Sequence, residues 1–574
     1  MMAPMFVLLL AACPGPIDSK TPDLPDPDTG DPDTGEEVTV LEHCGLVQAD
    51  EVWRASRPHR VTCDVTIERG TLTIEPGTAV TFDERAGLAV GTGDYEASLA
   101  IDGTTDGVVF SRSGDQDWDG VVIGANAEAV SISGLSVRGT ANGVRIDGAE
   151  VTIGSLAIDG ASEGCGFTLE EGARLADGAT GLTVTGAATW SVCAEVASAD
   201  SLPAAASSYT GNTTDGVYLV GDEISRAVTW EDLGVPYVIA EVVDVAGTAG
   251  EPAVFTIGAG VEVLLDRDRG FRFSRSGDAS AFYVEGTAEA PVRFASLGAD
   301  TAGFWRGLSA SVGTGDFSLR NVQLSGGGGD GGTLQSEDVD VYLEQVSIER
   351  SAGAAVRLEG EAAFVAGSVG LVVRESEVPV TLAASAVPSL PSSGLAFSDN
   401  EIDAIQVAGG SKVGDSGTWS DLGLPYWVVD DVEIDGTAEA PAVVTFAPGV
   451  ALLFDNDAKI LVGKTGAAGL RVEGTSSLPV TMLPWSANTP GAWGGIGVYD
   501  AAVDADVLIE HAEIGYGGGA SLRGNIHAVD SAPTLRQVHL HSSLEWGLYL
   551  SDAVPVVDGV TYADNTSGDC NECP

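Results

Sequence analysis

Thr229-Trp230-Glu231-Asp232-Leu233-Gly234-Val235-Pro236-Tyr237 recurs 189 residues later as Thr418-Trp419-Ser420-Asp421-Leu422-Gly423-Leu424-Pro425-Tyr426. Working outward from this pair, further landmarks occur three times. Ile74-Glu75-Pro76-Gly77 matches Ile257-Gly258-Ala259-Gly260 and Phe446-Ala447-Pro448-Gly449. Gly103-Thr104 matches Gly286-Thr287 and Gly474-Thr475. Trp118-Asp119-Gly120 matches Trp305-Arg306-Gly307 and Trp493-Gly494-Gly495. The offsets of 183–187 and then 188–189 define three tandem units of about 185–190 residues, placed at residues 41–228, 229–417 and 418–574. The first unit lacks the Trp…Pro-Tyr opening.

A shorter period lies inside each unit. Val130 to Val137 aligns with Val151 to Ile158 at an offset of 21, which also carries Val144 and Ile146 onto Cys165 and Phe167. Leu319, Val322 and Leu324 map onto Leu343, Val346 and Ile348 at 24. Ile509, Ala512 and Ile514 map onto Leu535, Val538 and Leu540 at 26, and then onto Val557, Val560 and Tyr562 at 22. Short alternating runs separated by Gly, Asp and Asn read as strands and turns. A β period of this length predicts a solenoid whose coils stack about 4.8 Å apart. Helical repeats are excluded by the 76 glycines, since an interior helical Gly costs roughly 1 kcal/mol.

These residues resemble right-handed parallel β-helix proteins of the pectin-lyase-like type, above all bacterial exported lipoproteins. The resemblance rests on Pro425-Tyr426-Trp427-Val428, Phe446 to Phe454, Gly474-Thr475 and Trp493-Gly494-Gly495-Ile496, and spans roughly residues 50–565. It implies an all-β fold. It does not select a function, because this fold carries lyases, hydrolases, adhesins and spacers alike.

The N-terminus predicts export. Residues 1–12 read as a signal peptide, because the apolar run Met5 to Ala12 is too short to span a bilayer. Leu10-Ala11-Ala12-Cys13 resembles a lipobox, which implies lipidation of Cys13 and a bacterial outer-membrane or cell-surface location. Residues 13–40 read as an acidic tether rich in Pro, Asp, Thr and Gly. The six remaining cysteines fall into three local pairs, Cys44/Cys63, Cys165/Cys193 and Cys570/Cys573, and are disulfide candidates in an exported chain.

With 84 acidic against 27 basic residues, the net charge of −57 excludes general affinity for nucleic acid or anionic lipid. Contact with a membrane is expected only through the lipid anchor. Acidity also counts against an unassisted polyuronate enzyme, and neither the 23 Arg nor the four Lys form a cluster in sequence.

Ca²⁺ is the one cofactor the sequence raises. Asp115, Asp117 and Asp119 fit half of a D-x-D-x-D-G loop, although Asn126 stands where a bidentate Glu is required. Asp266, Asp268, Asp455 and Asp457 recur at strand ends, where aspartate also suits a tight turn. Gly414-Asp415-Ser416-Gly417 copies a serine-protease motif without a His partner. Asn212-Thr-Thr-Asp215 loosely resembles a polygalacturonase motif, but its companions are missing. His539 and His541 should share an outward face. No catalytic residue is assigned. The expected function is a rigid adhesin-like module that presents one face to an extracellular polysaccharide, a protein or another copy of itself. A polysaccharide lyase or hydrolase and a calcium-stiffened spacer are the alternatives.

Overall fold

The computed structural model describes residues 39–275, 278–408 and 412–573. The signal-like run, Cys13 and the tether up to residue 38 lie outside the described residues. Strands Gly70–Ile74, Ala79–Phe82 and Gly87–Val90 make one coil of a parallel β-helix. The next coil lays Ala97–Asp102, Val108–Arg112 and Gly120–Ile123 over them, pairing Leu72 with Leu99, Val80 with Phe110 and Leu88 with Val121, all parallel. Strict alternation buries every second side chain, as in Ala253–Gly258, where Ala253, Phe255 and Ile257 face the core. Parallel coils therefore stack like residues on like, and one continuous apolar core runs from Trp53 to Leu550.

The threefold landmarks are structural. Trp118, Trp305 and Trp493 are fully buried, and their indole N–H groups donate to the carbonyls of Arg138, Ser325 and Gly515, in the following coil, at 2.8–2.9 Å. The glycines that follow, Gly120, Gly307 and Gly495, have φ of +120°, +134° and +104°. A Cβ at any of them would press into the carbonyl of Gly143, Gly332 or Gly524.

The three units are rotated about the solenoid axis, each by one face. The sheet formed by the third strand of each unit-one coil, including Gly87–Val90, runs on through Trp190–Glu195, Thr214–Val220 and Tyr237–Ile239 into Glu262–Leu265. Glu262–Leu265 is the second strand of its coil in unit two. The third strand of that coil, Gly270–Phe273, belongs to a 14-stranded sheet that continues into Ala451–Phe454, again a second strand. At each boundary a 3₁₀ turn, Ala199–Ser201 or Ala384–Ser389, replaces a first strand and interrupts that face. That 14-stranded sheet alone advances on the order of 60 Å.

Two expectations are corrected. Val144 and Ile146 pair with Phe167 and Leu169, two residues beyond the positions assigned by an offset of 21, because the turn around Glu163 is longer. Unit one does have the opening motif, as Trp53…Pro58-His59. Trp53 pairs with Ile74 as Trp230 pairs with Ile257, and His59 pairs with Val80 as Tyr237 pairs with Val263. A loop one residue shorter, with His in place of Tyr, hid the match.

Candidate functional site

A groove lies on unit two, on the strands Ser280–Glu285, Thr314–Ser325 and Val341–Glu349. Phe282, Val284, Phe317 and Leu319 face inward, so Tyr283, Ser318 and Tyr342 form an outward ladder in register. Two tyrosines stand two strand spacings apart, about 9.6 Å, with a serine between them as the floor. The resulting cavity is about 690 Å³ and is also lined by Asp316, Arg320, Asp338 and Asp340.

Each wall is fixed by charge. Tyr283 donates to Asp316 at 2.5 Å, and that bond pushes its hydroxyl up to about 12. Arg320 lies over the Tyr342 ring at 4.7 Å and reaches Glu344 at 2.8 Å, while Tyr342 also donates to Glu344 at 3.0 Å. Asp338 and Asp340 hold the next coil, accepting from the backbone N–H of Glu361 at 2.8 Å and Ala363 at 3.0 Å. The same cross-coil capping recurs at Asp50, Asp64 and Asp504. Part of the chain's acidity is thus turn chemistry between coils.

Lysine, scattered in sequence, is gathered in space. Lys412 lies 3.3 Å from Asp435, Lys464 3.9 Å from Glu433 and Lys459 3.0 Å from Asp431, around the junction of units two and three. Each of these lysines is matched by a carboxylate. Burial works to raise the Asp435 carboxyl, but bonds from Thr465 and the N–H of Gly466 outweigh it and hold it at about 2. The bond to Asp435 and burial push Glu433 up.

The aspartates raised for Ca²⁺ serve other contacts. Asp117 pairs with Arg112 at 2.9 Å, and Asp119 lies 3.7 Å from Arg85. Asp115 contributes its backbone carbonyl to Arg112. Asp266 and Asp455 open equivalent turns, closed by backbone bonds from Arg269 and Ala458 at 3.1 Å. Asp268 and Asp457 occupy the left-handed position of those turns, with φ of +60° and +66°. Because the units are rotated, the two turns lie on different faces. Among the described residues, no group of three or more His, Cys, Asp or Glu is placed to hold a metal ion.

Cys44–Cys63 and Cys165–Cys193 are disulfides. Cys570 and Cys573 form no disulfide, and burial, with a hydrogen bond to Cys573, pushes the Cys570 thiol up to about 12. Ser416 of the protease-like motif bonds the backbone of Pro441 and Val443. Asn212 and Asn400 accept from the N–H of Ala187 and Ser376 in the preceding coil. His539 and His541 do share the outward face, stacked 5.1 Å apart, with His541 3.4 Å from Glu513. The Tyr283–Tyr342 slot escaped sequence reading; only an outward aromatic at the same strand phase in two coils would have signalled it. Comparison with known proteins finds no family, no curated relative and no solved structure that matches this chain.

Proposed function

We propose that the chain is an exported, lipid-anchored binding module that holds an extracellular polysaccharide against the outward face of its β-helix. The observation that carries this reading is the Tyr283–Ser318–Tyr342 ladder. Tyrosine faces stack on the C–H faces of sugar rings, while carboxylates and a guanidinium accept from and donate to hydroxyls. With Asp316, Asp338 and Asp340 beside one Arg320, the groove favours a neutral or amino sugar over a uronate.

Glycan-array binding by the full chain, repeated with Tyr283→Ala and Tyr342→Ala, tests the proposal. Loss of one stacking face should weaken binding about 3–10-fold. Binding that survives both substitutions unchanged would refute this site.

The carboxylates in the same groove favour glycoside hydrolysis as a second reading. Release of reducing ends from any polymer, abolished by Asp338→Asn, would establish that reading in place of the first.

A further inference from the structure

A second row of outward side chains lies on the 14-stranded sheet, where unit two passes into unit three. Ala354–Glu359, Val378–Ala383, Ile405–Ala408 and Tyr426–Val428 are four consecutive strands of that sheet. Val356, Val380, Ile405 and Tyr426 face the core, so Arg357, Thr381, Gln406 and Trp427 point outward in register. Three strand spacings, about 14 Å, separate the first from the last. Along one side the row is bordered by Gly331 and Gly353, whose φ of +103° and +106° suits glycine and puts no side chain over the trough. The cavity is about 420 Å³, inside the range of about 300–1,000 Å³ that small-ligand sites occupy.

Trp427 closes one end of the trough. The Trp485 ring, carried just beyond strand Val480–Pro484 two coils further on, stacks on it at 4.8 Å and 19°. The other face of the Trp427 indole borders the trough beside Gln406. Gln406 Oε1 accepts from Thr381 Oγ1 at 2.8 Å, so the amide N–H groups are what Gln406 offers a ligand. Arg357 donates Nε, at 2.9 Å, and Nη2 to Glu359. Unit two shows what the coil itself needs at these places. Val238 pairs with Tyr218 there as Trp427 pairs with Gln406, and Leu297 bonds Leu265 as Trp485 bonds Phe454. A coil thus closes with Val and Leu, whereas Trp427 leaves its Nε1 buried without an acceptor among the described residues, a cost that packing does not require.

We propose that this trough is a second saccharide site, in which a neutral sugar ring stacks on the open face of Trp427 while its hydroxyls meet Gln406, Thr381 and Arg357. It shares with the proposed function only the premise that the partner is a saccharide, since its residues and its sheet are different. An aromatic face takes the C–H side of the ring, and the amide and guanidinium donors fix the hydroxyls. Carboxylates outnumber the guanidinium in the tyrosine groove, but here Arg357 is balanced by Glu377, so the charge selects a neutral ring. The tyrosine groove lies on the 23-stranded sheet and the trough on the 14-stranded one. One chain therefore carries sites on two faces and can hold two polymer strands at once.

Tryptophan emission of the full chain, titrated with cellohexaose, maltohexaose and laminarihexaose as neutral probes, tests the site. At least one probe should shift the emission saturably, in the wild type and in the Tyr283→Ala/Tyr342→Ala double variant alike. Trp427→Val installs the residue that unit two already uses at this place, so the coil should close and the shift should vanish. Gln406→Glu keeps the oxygen to which Thr381 donates, removes the donor, and should weaken binding about 3–10-fold. No saturable shift with any probe, or a shift that persists in Trp427→Val, would overturn the trough and leave the tyrosine groove standing. A shift lost in Trp427→Val, with glycan-array binding unchanged in the tyrosine double variant, would support the trough and refute the groove. If Trp427→Val instead changes the sedimentation of the free chain, the indole pair is a contact between copies and the saccharide site falls.

Discussion

The Tyr237 hydroxyl donates to the backbone carbonyl of Glu231 at 2.8 Å, clamping the loop that opens unit two, and the Tyr237 ring stacks on Trp230 at 4.7 Å. Burial pushes this hydroxyl well above its ordinary value, because an ionised phenolate has no solvation there. Tyr237→Phe removes the donor and leaves a shielded carbonyl unpaired. It should cost about 1–2 kcal/mol in a denaturant titration, and a midpoint indistinguishable from wild type would contradict this account.

Trp493 stacks on Phe454 at 4.1 Å and bonds Gly515, whereas Trp305 has Leu265 at the position equivalent to Phe454. Trp493→Ala opens a core cavity and breaks a cross-coil bond, with an expected cost of about 3–5 kcal/mol. Trp493→Phe should lose less, since the stack survives and the N–H bond does not. Thermal unfolding of the two variants, ranked in the opposite order, would argue against a core role for the indole.

Asp435 supplies a pH dependence in the acid range. Its carboxyl is held at about 2, below the ordinary aspartate value, so the unfolded chain takes up the proton first. The stability it contributes is present above about pH 4 and is lost as the pH falls toward about 2. Asp435→Asn should flatten the unfolding profile across that acid window. A variant profile that parallels the wild type would show that Thr465 and Gly466 do not depend on the charge.

Cys570 and Cys573 should differ in reactivity. Cys573 is exposed, while Cys570 is half-buried with its thiol pushed up to about 12. Alkylation near neutral pH should therefore mark Cys573 well before Cys570, because the thiolate is the nucleophile. Peptide mass spectrometry reads the order directly. Finding both residues blocked from the outset would mean that the pair is oxidised in the isolated protein.

Much of the coil was legible in the sequence, since Leu319, Val322 and Leu324 do lie over Leu343, Val346 and Ile348. Alternation carries that information because a strand's pleat sends successive side chains to opposite sides. Prediction failed where turns change length. The extended turn at Glu163 displaced Phe167 by two residues, and the shorter loop before Pro58 concealed an entire opening motif. The candidate groove was not legible, since Tyr283 and Tyr342 are 59 residues apart and their adjacency depends on every turn between them.

By itself the sequence determined a strand-and-turn chain of three related units with a buried Trp in each, because inward apolar residues and glycine-requiring turns are local needs written into local sequence. The tertiary structure decided how those units face. A unit that ends on a 3₁₀ turn passes only its third sheet to the next, so Asp266 and Asp455, matched in sequence, point away from different sides. Equivalent residues thus cannot line a common face, because the register between stacked coils is set by the sum of turn lengths along the chain. The tyrosine slot belongs to unit two, because Ala100 and Arg471 stand at the positions equivalent to Tyr283 in the other units.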